Sequence, residues 1–327
     1  MATPSGNPKG CRDDCKPEAW RHNRRPGGPR HFDIRLNNAA ASRQTAPVRV
    51  SILTPSFRQG QWLRLCIASV ADQGVPVEHI VQDAGSDDGT LDWLPSDSRV
   101  RAFIEKDDGM YDALNRGFDR ATGDIIAWLN CDEQYLPGTL KTVVAFFESH
   151  PDVDMLFGDI IIVDAEGNYL CHRKVQPPSL PHTWTCHLST LSCAMFFRRK
   201  LVAAPDGFRF DTSYRAGSDG EWMVRLLRAG VRMAALRQFT SVFARTGQNL
   251  SRQAQAQAEW LRLRRSAPLW MRALSPAFVV HHRFRRWLDG SYAQAPFSFT
   301  PYTRQSPYRR VMLDVPKPSH RCPKLVC

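Results

Sequence analysis

The stretch DAGSDDGT, residues 83–90, follows a short apolar strand at 79–82, and NCDE, residues 130–133, ends another at 124–129. Acidic loops at the carboxyl ends of strands are where an open α/β sheet holds its ligand. Upstream, VRVSILTPSF at 48–57 reads as a buried strand running into a Pro-Ser turn, and residues 61–73 carry apolar side chains at helical spacing. Downstream come a strand at 100–105, a helix over 111–121 stopped by Gly123, the strand at 124–129 and a helix over 140–148. Strand and helix alternating at these intervals predict a parallel sheet with right-handed crossovers.

Residues 153–175 read as a strand and hairpin turning at Glu166, Gly167 and Asn168. SCAMFFRRKLVAA at 192–204 reads as a buried strand passing into a helix, and 219–230 as an amphipathic helix. Three segments are expected: a disordered basic arm at 1–47, an α/β domain at 48–251, and a basic amphipathic extension at 252–327 whose last forty residues are irregular.

The net charge of +12 belongs to the ends. Residues 1–47 hold nine Lys and Arg against four Asp and Glu, and 251–327 hold fourteen against three, leaving the middle near −4. That distribution argues against a nucleic-acid groove in the core and for tails that meet a polyanionic surface. The nine cysteines are scattered without paired spacing and read as reduced thiols of a cytoplasmic protein. No secretory h-region opens the sequence, and no apolar run is long enough to span a bilayer.

The chemistry rests on three acidic positions. Asp83 sits at a strand tip, followed by Gly85 and Gly89, which permit tight turns and close backbone approach. Asp132 and Glu133 offer hard oxygen ligands of the kind Mg²⁺ or Mn²⁺ takes. Asp219 stands at a predicted helix start. Each alone is an ordinary turn, cap or surface acid. Their order on one βαβ chain fits transfer from a diphosphate leaving group, with a metal offsetting leaving-group charge and a carboxylate taking a hydroxyl proton.

TPSF (54–57), IVQDAGSDDGT (80–90), EKDDGMYDALNRGFDRATGDIIAWLNCDE (105–133) and GSDGEW (217–222) resemble the family 2 glycosyltransferases. That resemblance implies the GT-A (Rossmann-like) fold and inverting transfer from a nucleotide-diphospho-sugar to a glycan or lipid-linked acceptor in cell-envelope polysaccharide synthesis. Position by position, it implies that Pro55, Ser56 and Phe57 line the base pocket and Asp83 contacts base or ribose. Asp112 and Asn115 approach diphosphate and sugar, Asp132 binds the metal with Glu133 beside it, and Asp219 is the base. Arg245 opens RTGQNLS at 245–251, which resembles a closing loop. The motif departs from Asp-x-Asp at Asn130 and at Glu133, so the rival reading is a non-catalytic nucleotide-sugar or polyanion binder.

PHTWTCH at 181–187 offers His182, Cys186 and His187 but lacks a fourth zinc ligand. It reads instead as an acceptor-side loop with His187 near the sugar. Tyr111 is a candidate for stacking on a ligand, while Trp128 and Trp222 read as core. Arg interleaved with Trp, Leu and Met at 254–274 and 278–288 allows two readings. The favoured one is an interfacial helix on an anionic bilayer, which would place the protein at the inner face of a membrane. The other is a helix packed across the catalytic domain with its charges solvated.

Overall fold

In the computed structural model the described residues are 48–203, 205–247 and 254–323. The expected basic arm at 1–47 lies outside them, as does most of the expected closing loop. In chain order the elements begin β1 (Val50–Ser56), α1 (Gly60–Ala71), β2 (Val77–Asp83), β3 (Arg101–Ile104), α2 (Met110–Arg120), β4 (Ile125–Trp128), β5 (Glu133–Tyr135) and α3 (Thr139–Ser149). They continue β6 (Met155–Asp164), β7 (Tyr169–Arg173), α4 (Leu180–Thr185), β8 (Met195–Arg198), α5 (Ser218–Arg228) and β9 (Met233–Arg245). The last are α6 (Ala254–Arg265), α7 (Leu269–Ala273), α8 (Ser275–Leu288), β10 (Phe297–Phe299) and β11 (Leu313–Val315).

Among the described residues nine strands join one sheet in the order β3-β2-β1-β4-β8-β6-β9-β5, with β7 paired to β6. The first four are parallel, as the alternating pattern predicts. Each residue of β4 is buried, which is why it reads as unbroken apolar sequence. Because β1 lies between β2 and β4, connections leave it in opposite directions, and a crevice opens at the carboxyl ends of β1 and β4.

Beyond β4 the sheet is mixed. β8 runs antiparallel to β4 and β6, and β5 antiparallel to β9, whereas β6 and β9 are parallel. The segment expected to pass from strand into helix forms β8 and then a single 3₁₀ turn at Arg199–Leu201. β9 has no counterpart in the sequence reading, because register shifts opposite Gly158 and Asp159 break its alternation. At that bend Thr240 approaches so closely that a Cβ on residue 158 would stand 2.2 Å from its Oγ1. Only glycine fits there.

Trp128 and Trp222 are core, as read. Their rings meet at 6.0 Å, and Phe210 joins them at 5.5 and 5.1 Å. Trp222 Nε1 donates to the Phe208 carbonyl at 2.8 Å, so its polar end is satisfied.

Two expectations are corrected. The cysteines are not all free thiols: Cys171 of β7 and Cys322 form a disulfide with Cα atoms 5.0 Å apart, 151 residues apart in sequence. Spacing carries no sign of a pair that only the fold brings together. The final forty residues are also not irregular throughout. β10 and β11 form an antiparallel ladder, and the segment between them is pinned to the sheet. There Tyr302 exchanges backbone bonds of 2.8 and 2.9 Å with the Gln134 side chain, while Arg310 makes a two-pronged ion pair with Asp72 at 2.6 and 2.7 Å.

Candidate active site

A cleft of about 660 Å³ lies at the crevice, lined by Pro55, Ser56 and Phe57 from the end of β1, Ala84 after β2, Asn130, Cys131 and Asp132 after β4, and Asp219 of α5. Lys106, Asp107 and Tyr111 close one side, and Leu191, Ser192 and Phe243 another. The structure therefore brings together Pro55, Ser56, Phe57, Asp132 and Asp219. Tyr111, the stacking candidate, also lines it, whereas Asp83, Asp112, Asn115, Glu133, His187 and Arg245 do not.

The loop at 83–90 explains one of those absences. Asp83 is fully buried. It accepts hydrogen bonds from Ser56 Oγ at 2.7 Å, Gly85 N at 3.0 Å, Ser86 N at 2.7 Å and Ser86 Oγ at 2.8 Å. Asp87 pairs with Arg58, and Asp88 receives the Gly60 and Thr90 backbone N–H groups. The three carboxylates thus clasp the loop after β2 to the end of β1 and the connection into α1, with Ser56 and Ala84 among the residues left at the cleft surface. Gly85 and Gly89, with φ of 87° and 83°, make that clasp possible.

Asp112 and Asn115 of α2 act within the scaffold. Asp112 pairs with Arg116 at 2.8 Å, and Asn115 clamps the Phe210 backbone, donating to its carbonyl at 3.0 Å and accepting its N–H at 2.9 Å. Arg245 ends β9 and donates to the Pro323 carbonyl at 3.3 Å. His187 is exposed and faces His182 and His282.

At the strand tip after β4 the acids part ways. Asp132 lines the cleft. Glu133 is turned into the core, where its carboxylate accepts Asn130 N at 2.7 Å, Asn130 Nδ2 at 3.2 Å and Ser192 Oγ at 2.8 Å. Burial and the neighbouring Asp132 push its pKa up to about 8. Glu133 therefore holds Asn130 rather than facing a ligand. That hold leaves Asn130 Oδ1 buried with no hydrogen-bond partner. An unpartnered amide oxygen beside a cleft carboxylate is an oxygen donor set, and it fits a hard divalent ion such as Mn²⁺ or Mg²⁺.

Asp219 lies in the first turn of α5, half-buried at the cleft wall. Burial raises its pKa to about 6, against the opposing pull of hydrogen bonds from Gly220 N at 2.9 Å and Tyr111 OH at 3.3 Å. A carboxylate tuned toward neutrality and open to a cleft is suited to accept a proton.

Sequence reasoning missed the groups that hold Asp219 in place. Glu259 of α6 accepts the N–H groups of Arg215 and Ala216 at 2.8 Å each, immediately upstream of α5. Trp260 lies over Gly220, where a Cβ would meet its ring at 2.5 Å. No local pattern marks Glu259, because its partners are 43 and 44 residues away.

Fold and cleft together define an α/β transferase of the GT-A kind. Residues 51–204 match the Glycosyl transferase family 2. The PGL/p-HBAD biosynthesis glycosyltransferase of Mycobacterium tuberculosis is 36% identical over 186 residues, covering 54% of this chain and 68% of that protein. An uncharacterized glycosyltransferase of the same organism is 27% identical over 198 residues, covering 55% and 70%. Among solved structures, S. aureus TarS in complex with UDP-GlcNAc shares the fold at a TM-score of 0.53 and 18% identity, covering 66% of this chain and 64% of that one. The chain belongs to glycosyl transferase family 2 and is a glycosyltransferase.

Proposed function

We propose that the chain transfers a sugar from a nucleotide-diphospho-sugar to an acceptor hydroxyl by a single inverting displacement. The observation that carries this reading is Asp219, a carboxylate with its pKa near 6, in the same cleft as Asp132 but on a different element. Pro55, Ser56, Phe57 and Ala84 form the surface offered to the nucleotide, and Asp83 serves it by fixing Ser56. Asp132 and Asn130 Oδ1 would hold the divalent ion, with Glu133 orienting Asn130. When bound, the ion offsets the charge on the departing diphosphate.

Asp219 takes the acceptor proton. The hydroxyl oxygen forms the new bond to the anomeric carbon from the face opposite the diphosphate, and the broken carbon–oxygen bond leaves its electron pair on the nucleoside diphosphate. Attack from the opposite face inverts the anomeric centre. A glycan or lipid-linked acceptor fits a chain related to an enzyme named for PGL/p-HBAD biosynthesis.

The reading extends to a membrane surface. On α8, Val280, Phe284 and Trp287 recur at helical spacing on the face turned from the protein, and Phe284 and Trp287 are 53% and 66% exposed. Leu269 and Trp270 of α7 are 78% and 58% exposed, and in sequence Arg272 follows them closely while Arg283 precedes Phe284. Exposed aromatics among guanidiniums match an anionic bilayer interface. Among the described residues no helix is long and apolar enough to cross a membrane.

The central test is Asp219→Asn. Nucleoside diphosphate binding measured by calorimetry with Mn²⁺ is expected to persist, while transfer falls by about 10²–10⁴-fold, the usual worth of a general base. A screen of UDP-, GDP- and dTDP-sugars supplies the donor. Undiminished turnover in the variant would remove Asp219 from the reaction.

A further inference from the structure

Where α4 meets α8, three histidines converge away from the cleft. His182 lies in α4, His187 two residues beyond its end, and His282 in α8. One ring nitrogen of each lies within 4.8 Å of the others. The rings of His182 and His282 stack at 4.1 Å, and His187 stands edge-on to His182 at 4.6 Å. His182 is 2% exposed and its Nε2 has no hydrogen-bond partner, although burying a polar atom without one is costly. Burial pushes His182 down to about 4 and His282 to about 3, and lowers His187 as well. Nearby guanidiniums, among them Arg173, Arg264, Arg285 and Arg286, act in the same direction. Each ring in its neutral form keeps a lone pair for coordination.

We propose that His182, His187 and His282 form a three-histidine site for a divalent transition ion of the Zn²⁺ class, distinct from the oxygen donors of the cleft. None of the three lines the cleft. Neutral imidazole suits Zn²⁺, Co²⁺, Ni²⁺ and Cu²⁺, whereas Mg²⁺ and Mn²⁺ favour oxygen. With bonds of about 2.0–2.1 Å, tetrahedral ligand nitrogens stand roughly 3.3 Å apart, a closure that rotation about the two imidazole side-chain torsions supplies. The fourth position falls to water or hydroxide, and hydroxide offsets the ion's charge beside the guanidiniums. The sequence contains two of these ligands in PHTWTCH; the fold supplies the third from 95 residues further along. A bound ion would fasten α8 to the segment at 186–192, whose Leu191 and Ser192 line the cleft.

The test is to strip the full chain with a chelator and titrate it with Co²⁺, following ligand-field absorption, then displace the Co²⁺ with Zn²⁺. One equivalent with the intense absorption of four-coordinate Co²⁺ is expected. His182→Ala and His282→Ala should each weaken binding at least ~100-fold, since loss of even an outer-shell partner costs 10–100-fold. Asp132→Ala and the neighbouring exposed His281→Ala should leave it in place. Circular dichroism checks the fold, and His282→Gln, judged by the same loss, replaces an alanine variant that does not fold. Weak six-coordinate absorption alone, or binding unchanged by loss of His282, would overturn the proposal.

Discussion

The two walls of the cleft are built by opposite means. The wall at β1, β2 and β4 is held by strand register and by a clasp whose bonding partners lie within about thirty residues: Asp83 to Ser56, Asp87 to Arg58, Asp88 to Gly60. The wall that carries Asp219 rests on α6, through Glu259 under the Arg215 and Ala216 amides and Trp260 over Gly220. One wall is finished by the sheet itself. The other is complete only when the C-terminal segment has docked.

That contrast is sharpest at Glu259. Glu259→Ala leaves two N–H groups without their acceptor, which costs about 1–3 kcal/mol in local stability. Transfer should fall by roughly ten- to a hundredfold in kcat, while nucleotide binding on the sheet wall holds, because misplacing a reacting group acts on the chemical step. Glu259→Gln should restore most of the rate and move the acid limb of the pH profile down, since Glu259 now raises Asp219. A loss of nucleotide affinity equal to the loss of kcat would break the division between walls.

A smaller effect is expected further out on the same segment. Replacing Trp270 and Trp287 together with Ala should lower binding to anionic vesicles about tenfold in a sedimentation assay, leaving transfer to a soluble acceptor intact. Equal binding to zwitterionic and anionic vesicles would remove the guanidiniums from the account. Smallest is Tyr111→Phe. The lost hydrogen bond favours the charged form of Asp219, so its removal should raise the acid limb, which starts near pH 6, by a few tenths of a unit. The two substitutions thus shift one limb in opposite directions, which generic loosening of the site would not do.

How much was legible follows the same division. β1 to β4, α1 and α2 carry their own periodicity, and Pro55, Ser56, Phe57, Asp132 and Asp219 lie in the cleft that the acidic strand tips predict. What could not be read was the direction of a side chain at a strand tip. Asp83 and Glu133 are both turned inward, one bonded by Ser56, Gly85 and Ser86 and the other by Asn130 and Ser192. β9 was hidden by its bulge, and Glu259, Cys322 and His282 act on partners that are distant in sequence.

The pinned segment between β10 and β11 has a consequence of another kind. β5 ends the sheet on one side, and Tyr302 occupies the side chain of its Gln134 while Arg310 reaches the Tyr135 carbonyl at 3.0 Å. A terminal strand with free backbone groups is a template for joining other chains. Here a proline- and arginine-rich stretch that reads as a loose tail caps the Tyr135 carbonyl and the Gln134 side chain, so those groups are not offered to another chain.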